Sequence, residues 1–103
     1  MRTQVGIIGC GPAGLFLAHI LHRMGIESVI LENKSRAYVE ERVRAGVLES
    51  GTVDVMEQMG LADRLKRERM IDEGLDIRFN KKKIWLPFNE LAGGRNVSIY
   101  GQQ

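Results

Sequence analysis

Three glycines and one carboxylate carry the chemistry of this chain. Gly9, Gly11 and Gly14 follow the apolar run Val5 to Ile8, and Glu32 follows Val29-Ile30-Leu31. Strand, glycine-rich turn, helix, second strand and terminal acid form the fingerprint of a dinucleotide-binding βαβ unit. Each position has its own physical reason. Gly9 permits a tight turn. Gly11 removes a side chain so that a pyrophosphate can approach the backbone. Gly14 lets the helix pack close to the strands. The helix N-terminus presents unpaired N–H groups and a partial positive charge to the phosphates. Glu32 is placed to accept hydrogen bonds from a ribose diol.

The elements that must hold these residues are legible around them. Pro12 suits the first position of a helix, where a missing N–H costs nothing. Leu17, Ile20, Leu21 and Met24 recur at i, i+3, i+4, i+7, which predicts an apolar stripe facing a sheet. Gly25 is the expected stop, and residues 26–31 read as a short buried strand. A parallel crossover of this kind is right-handed almost without exception.

Composition narrows the function. The 103 residues suffice for one small domain at most. Fifteen basic residues against 13 acidic ones leave a net charge of +2, too mild to imply nucleic acid, and no basic stripe interleaves with aromatics. One cysteine, Cys10, excludes an internal disulfide and a cysteine-rich metal site. It reads as a small side chain in a turn. His19 and His22 lie three apart, but no carboxylate or cysteine cluster completes a metal site, so they read as surface histidines. The apolar stretch before Cys10 is too short for a secretory h-region of about 7–15 residues, and glycines and a proline interrupt residues 5–21 as a membrane span. The expectation is a soluble cytoplasmic protein with no membrane, nucleic-acid or metal partner.

Beyond Glu32 the pattern changes. Ser35 is a candidate cap for a short helix through Val39 and Val43, broken by Ala45-Gly46-Val47. Leu48, Val55, Met56 and Met59 fall near helical spacing, with Ser50 or Thr52 as caps and Gly60 as the stop. Leu61 and Leu65 suggest another helical turn. Leu75, Ile77 and Phe79 alternate, Asn80-Lys81 turns the chain, and Ile84, Leu86 and Phe88 alternate again, with Pro87 marking an edge. Gly93-Gly94 turns it once more before Val97 and Ile99. The expected fold is α/β: a Rossmann-like βαβ unit followed by helices and antiparallel strands. It lacks the further parallel strands of a full doubly wound sheet, so residues 1–103 read as an incomplete domain, the N-terminal part of a longer enzyme. Exposed edges and apolar faces predict marginal stability for such a piece alone.

Two further runs are more specific than the glycine turn: Arg42-Val43-Arg44-Ala45-Gly46-Val47-Leu48-Glu49 and Ser98-Ile99-Tyr100-Gly101-Gln102. With Glu32 they make the whole chain resemble the N-terminal part of the flavoprotein aromatic hydroxylases that act on 4-hydroxybenzoate. The resemblance implies a Rossmann-like FAD-binding domain whose remainder, like the substrate domain, lies beyond residue 103. It implies non-covalent FAD, with NADPH (NADH as the alternative) as electron donor. The implied reaction is ortho-hydroxylation to 3,4-dihydroxybenzoate in a homodimeric parent. The substrate-orienting residues also lie beyond residue 103, so no catalytic residue is expected here and residues 1–103 alone should be inactive.

Carried over position by position, the resemblance assigns Gly9, Gly11, Pro12, Ala13 and Gly14 to the FAD pyrophosphate and Glu32 to the adenosine ribose. Arg42 and Arg44 would lie near the FAD, with Arg44 the better placed for bidentate phosphate binding. Ala45, Gly46 and Val47 would lie against the isoalloxazine, and Gln102 would contact the FAD. Lys34, Arg36, Tyr38 and Arg44 would bind the electron donor, two of them added cations that favour a 2′-phosphate. Asn33 stands where NADPH-preferring members often carry arginine.

Taken alone, Arg42 and Arg44 beside Glu40 and Glu41 read as a solvated face with surface ion pairs. Gln102 reads as a loop residue, Lys81-Lys82-Lys83 as an exposed turn and Trp85 as packing. Two alternatives stand beside the flavoprotein: a nicotinamide-dependent dehydrogenase fragment using the same turn, and a non-catalytic nucleotide-binding module. The arginine-glycine segment at 42–46 favours the flavin.

Overall fold

The structure is a computed structural model that describes residues 1–42, 46–91 and 93–100. It divides into two compact units, one from Met1 to Val43 and one from Arg44 to Gln102.

The first unit is the βαβ motif. Strand β1 (Val5–Ile8) pairs in parallel with β2 (Ser28–Leu31), with Val5 opposite Ser28 and Ile8 opposite Leu31. Helix α1 (Pro12–Arg23) makes the crossover. Backbone bonds lock both ends of the pair: Val5 N–H donates to Glu27 O at 3.1 Å, and Gly9 N–H to Leu31 O at 2.7 Å. The Gln4 side chain adds a third tie at the open end, accepting Glu27 N–H at 2.7 Å. Ile7 is buried under the helix, while Ile8 and Leu31 share the other face of the sheet and are exposed.

The expected stripe on α1 is met in part. Ile20 and Leu21 are half-buried, as are Gly14 and Ala18, whereas Leu17 and Met24 are exposed at 45% and 67%. Close approach at Gly14 sets this orientation. Its Cα faces Gly9 O and the Ile7 side chain, so the row one turn on from Gly14 meets the strands. Beyond β2, helix α2 (Arg36–Glu41) begins with the expected cap, Ser35 Oγ accepting Tyr38 N–H at 3.2 Å. It ends at Glu41; Val43, assigned to it from sequence, lies outside the described residues.

The second unit holds a three-stranded antiparallel sheet with β7 (Val97–Ile99) between β3 (Val47–Leu48) and β4 (Met70–Asp72). Leu48 thus belongs to a strand, opposite Ser98, and not to the following helix. Helix α3 (Ser50–Gln58) starts from Glu49 as its N-cap residue, without a side-chain cap bond, so neither Ser50 nor Thr52 caps it. Helix α4 (Asp63–Glu68) follows the Gly60 turn. Val53, Ala62 and Leu65 form a small core, with Leu65 1% exposed.

The remaining elements are a hairpin and one helical turn. β5 (Gly74–Phe79) and β6 (Lys82–Pro87) are joined by Asn80 and Lys81, both at positive φ, 48° and 60°. The register puts Leu75 opposite Leu86 and Ile77 opposite Ile84, so the apolar residues share one face. Asp76 and Lys83 form an ion pair at 2.9 Å on the other. Phe88 does not extend the strand but opens α5 (Phe88–Leu91), its N–H bonded to Glu73 O at 2.7 Å. Among the described residues no helix is long and apolar enough to cross a membrane.

Candidate functional site

The turn between β1 and α1 assigns a separate task to each glycine. Gly9 has φ +102°, a conformation that side chains rarely adopt. Gly14 lacks room for a side chain, because a Cβ there would lie 2.1 Å from Gly9 O. Gly11 is different. Its backbone is extended at φ −79°, ψ −178°, open to any residue, and a Cβ there would meet nothing within 4 Å. The protein's own packing does not require glycine at 11. A ligand lying along the turn would. This bare position fits a pyrophosphate.

Gly11 is also the N-cap residue of α1 and makes no side-chain cap bond; no acidic residue occupies the first turn, and Pro12 opens the helix. No acidic side chain of the helix's own first turn therefore neutralises the positive end of its dipole. Ala13 lies in that first turn, exposed.

Glu32 stands across from this turn, just beyond β2. Its Oε2 accepts the Cys10 N–H at 2.9 Å and its Oε1 accepts the Lys34 N–H at 2.9 Å. These bonds, the Cys10 one foremost, hold its pKa below the ordinary carboxylate value; the positive charge of Arg42 adds a smaller lowering. Glu32 is thus an anion with two backbone donors already in place. Sequence reasoning placed the acid but missed the Cys10 amide as its partner, since a backbone donor leaves no residue-type signal.

Behind Glu32 the cations gather on one ring. Lys34 Nζ and Arg42 Cζ each lie 5.7 Å from the Tyr38 ring centroid. The Ser35 cap starts the helix that carries Tyr38. Arg36 does not join them. Its Nε bonds Glu40 Oε1 at 2.6 Å, a pair that raises the arginine's pKa, and its side chain is 90% exposed. An exposed pair of this kind contributes little and opens readily.

The other assigned positions divide between the second unit and the undescribed segments. Gly46 O accepts Tyr100 N–H at 2.8 Å, and a Cβ on Gly46 would come 2.3 Å from Tyr100 O. The glycine is therefore needed for strand approach whatever else lies against it. Val47 pairs with Ile99 in β3 and is exposed. Arg44, Ala45 and Gln102 lie outside the described residues. The second unit also has a cleft of about 340 Å³ that includes Asp54, Glu57, Arg69, Arg95 and Ser98. Arg95 pairs there with Asp54 and Glu57 with Lys66, while Arg69 donates to Ser98 Oγ at 3.1 Å.

Comparison with known proteins points the same way. Residues 2–103 match the model of a family described as "FAD binding domain". The chain is 44% identical over 102 residues to p-hydroxybenzoate hydroxylase of Acinetobacter baylyi, covering 99% of this chain and 25% of that protein. It is 36% identical over 76 residues to the FAD-dependent monooxygenase dpfgE of Gibberella zeae, covering 74% of this chain and 16% of that one. The crystal structure of p-nitrophenol 4-monooxygenase PnpA from Pseudomonas putida superposes with a TM-score of 0.76 over 95% of this chain and 26% of that chain, at 24% identity. The chain thus spans about a quarter of the length of the first of these relatives.

Proposed function

The chain belongs to the FAD binding domain family, and from that premise we propose that it forms the adenosine and pyrophosphate end of the FAD site in an aromatic-ring monooxygenase. The whole protein would convert 4-hydroxybenzoate, NADPH, H⁺ and O2 to 3,4-dihydroxybenzoate, NADP⁺ and water, in the cytoplasm. The substrate assignment is supported by the 44% identity to a p-hydroxybenzoate hydroxylase. The family assignment removes the nicotinamide-dehydrogenase alternative, in which the same turn would hold a different dinucleotide.

One observation carries the binding role: Gly11 is extended and bare, at the foot of a helix whose N-terminus has no side-chain cap. FAD, when bound, supplies the redox and oxygen-activating chemistry. The chain's own residues bind and orient it. Gly9 shapes the turn, Gly11 clears the approach of the pyrophosphate, and the first turn of α1, at Pro12, Ala13 and Gly14, faces it with the helix dipole. Glu32 retains free lone pairs on both oxygens for the ribose hydroxyls, since a carboxylate offers about four acceptor sites. Arg42 and Arg44 would add positive charge near the phosphates, Ala45, Gly46 and Val47 would lie by the isoalloxazine, and Gln102 would make a further contact.

For the electron donor, Lys34, Tyr38 and Arg44 would receive a 2′-phosphate, joined by Arg36 once its bond to Glu40 opens. The shared stack of Lys34 and Arg42 on Tyr38 supports this, because it concentrates two cations on one exposed ring. The test is made on the intact protein. It should purify with a flavin absorbance spectrum, oxidise NADPH faster when 4-hydroxybenzoate is added, and release 3,4-dihydroxybenzoate. Absence of flavin after reconstitution with FAD would remove the cofactor assignment. Flavin without product would remove the substrate, and a higher kcat/KM for NADH would remove the donor.

A further inference from the structure

The bond between the Glu32 carboxylate and the Cys10 amide has a geometry that a ribose ligand does not need. The parallel pairing of β1 and β2 ends with Gly9 N–H on Leu31 O at 2.7 Å. One residue further along each strand, Cys10 N–H meets Glu32 again, but through the side chain, at 2.9 Å. The carboxylate therefore extends the ladder one rung beyond the sheet and into the turn. Its second oxygen takes Lys34 N–H at 2.9 Å, which closes a small ring around the end of β2 and fixes where the carboxylate points.

The turn has reason to need such a tether. Cys10 lies between Gly9, at φ +102°, and Gly11, whose surroundings are empty. Two flanking glycines leave the intervening peptide planes free to rotate. A pyrophosphate site made of backbone N–H groups works only when those planes already face the ligand. Where the binding-competent arrangement is only a fraction of the population, apparent affinity falls by that fraction.

We propose that Glu32 is a positioning residue for the phosphate-binding turn, in addition to holding the ribose. Through the Cys10 amide it orients the peptide planes that the pyrophosphate approaches. Through the Lys34 amide it anchors the start of the segment that carries Ser35 and Tyr38. The two roles are compatible, because two backbone bonds leave about two of the carboxylate's four acceptor sites open. This inference rests on the FAD reading above, and deepens it: a residue assigned to the sugar would also govern affinity for the phosphates.

The two roles separate with a ligand that has phosphates and no ribose hydroxyls. The intact protein, stripped of flavin, is titrated with ADP and with 2′,3′-dideoxy-ADP, as wild type and as Glu32→Gln. If Glu32 acted on the diol alone, the dideoxy ligand would bind both proteins equally. The tether predicts that Glu32→Gln weakens dideoxy-ADP about tenfold, as expected if the competent fraction of the turn drops to about one tenth, and weakens ADP further. A second readout is the Cys10 amide proton resonance. It should shift on Glu32→Gln, while the Leu15 amide, bonded to Gly11 O in α1, stays in place.

Equal dideoxy-ADP affinity together with an unmoved Cys10 resonance would overturn the proposal. If Glu32→Gln lowers the melting temperature, Glu32→Asp serves instead. It keeps the charge but is one methylene too short to bridge both amides, and the same loss of dideoxy-ADP affinity is expected. A wild type that fails to bind ADP at all would refute the dinucleotide reading separately, and the Cys10 resonance would still decide whether the tether exists.

Discussion

Substituting Gly14 by alanine tests the geometry of the turn through the sign of the outcome. In a helix, alanine is better than glycine by at most about 1 kcal/mol, so an exposed site would be stabilised. Here the new Cβ would lie 2.1 Å from Gly9 O, 3.2 Å from Gly9 C and 3.4 Å from Ile7 Cγ2. Non-bonded heavy atoms settle at about 3.5 Å, so the worst contact is short by more than about 1 Å. Gly9 O cannot swing away as a side chain would, because it is backbone in a turn held at φ +102° and tied to Leu31. The helix must retreat instead. Overpacking of this kind costs about 1–3 kcal/mol, and retreat also loosens α1 from Ile7. The overlap outweighs the gain, for a net destabilisation of up to about 2 kcal/mol after the propensity gain is subtracted. The assay is a denaturant melt of the flavin-free intact protein, followed by an FAD titration in which the displaced helix N-terminus should weaken binding. A Gly14→Ala protein as stable as wild type, with unchanged FAD affinity, would mean that the helix does not sit where the turn places it.

Other outcomes follow from individual residues. Gly11→Val should destabilise by no more than about 1 kcal/mol, the loss of a glycine N-cap, because a Cβ there touches nothing. The same variant should purify without flavin, and a yellow protein at normal stoichiometry would contradict the placement of the phosphates. Lys81→Gly should raise stability by about 0.5 kcal/mol, since relief of a positive φ outweighs the extra freedom of glycine in the unfolded chain; a lowered denaturation midpoint would contradict the turn geometry. The lowered pKa of Glu32 gives a pH window. Its interactions are fully formed above the ordinary value of 4.5 and are lost as pH falls through the lower folded-state value. The Cys10 amide resonance should therefore stay constant down to that pH and move only below it, and a midpoint on the alkaline side would contradict the hydrogen bonding described.

The βαβ unit was legible because its determinants are local. Gly9, Gly11 and Gly14 declare themselves by spacing, and the space around each Cα agrees with a different role for each. The face of α1 was legible only in part because hydropathy favoured Leu17 and Met24, while the close contact at Gly14, a residue with no hydropathy signal, set the orientation. Strands β3 and β4 were missed because two or three residues cannot display a period. They exist by pairing with β7, far along the chain. At the site, Lys34, Tyr38 and Arg42 were each identified, but their convergence on one ring depends on where the Ser35 cap starts α2. Phe88 fitted the strand alternation yet turns into α5, since its amide is taken by Glu73 O.

The pairing pattern also implies an order of events during synthesis. In the first unit, Val5 meets Ser28 with only a helix between them, whereas in the second Val47 meets Ile99, more than twice as far along the chain. Each doubling of a closing loop costs about 0.6 kcal/mol, and structures rich in short-range contacts form faster. The β1–α1–β2 unit can thus assemble on the ribosome before β7 has been translated, while β3 waits for a partner made some fifty residues later. The nascent chain would then present a formed nucleotide turn while the segment from β3 onward is still unpaired. Early capture of cofactor by that turn would stabilise the first-made unit by mass action during the interval when the rest of the polypeptide is most open to misassembly.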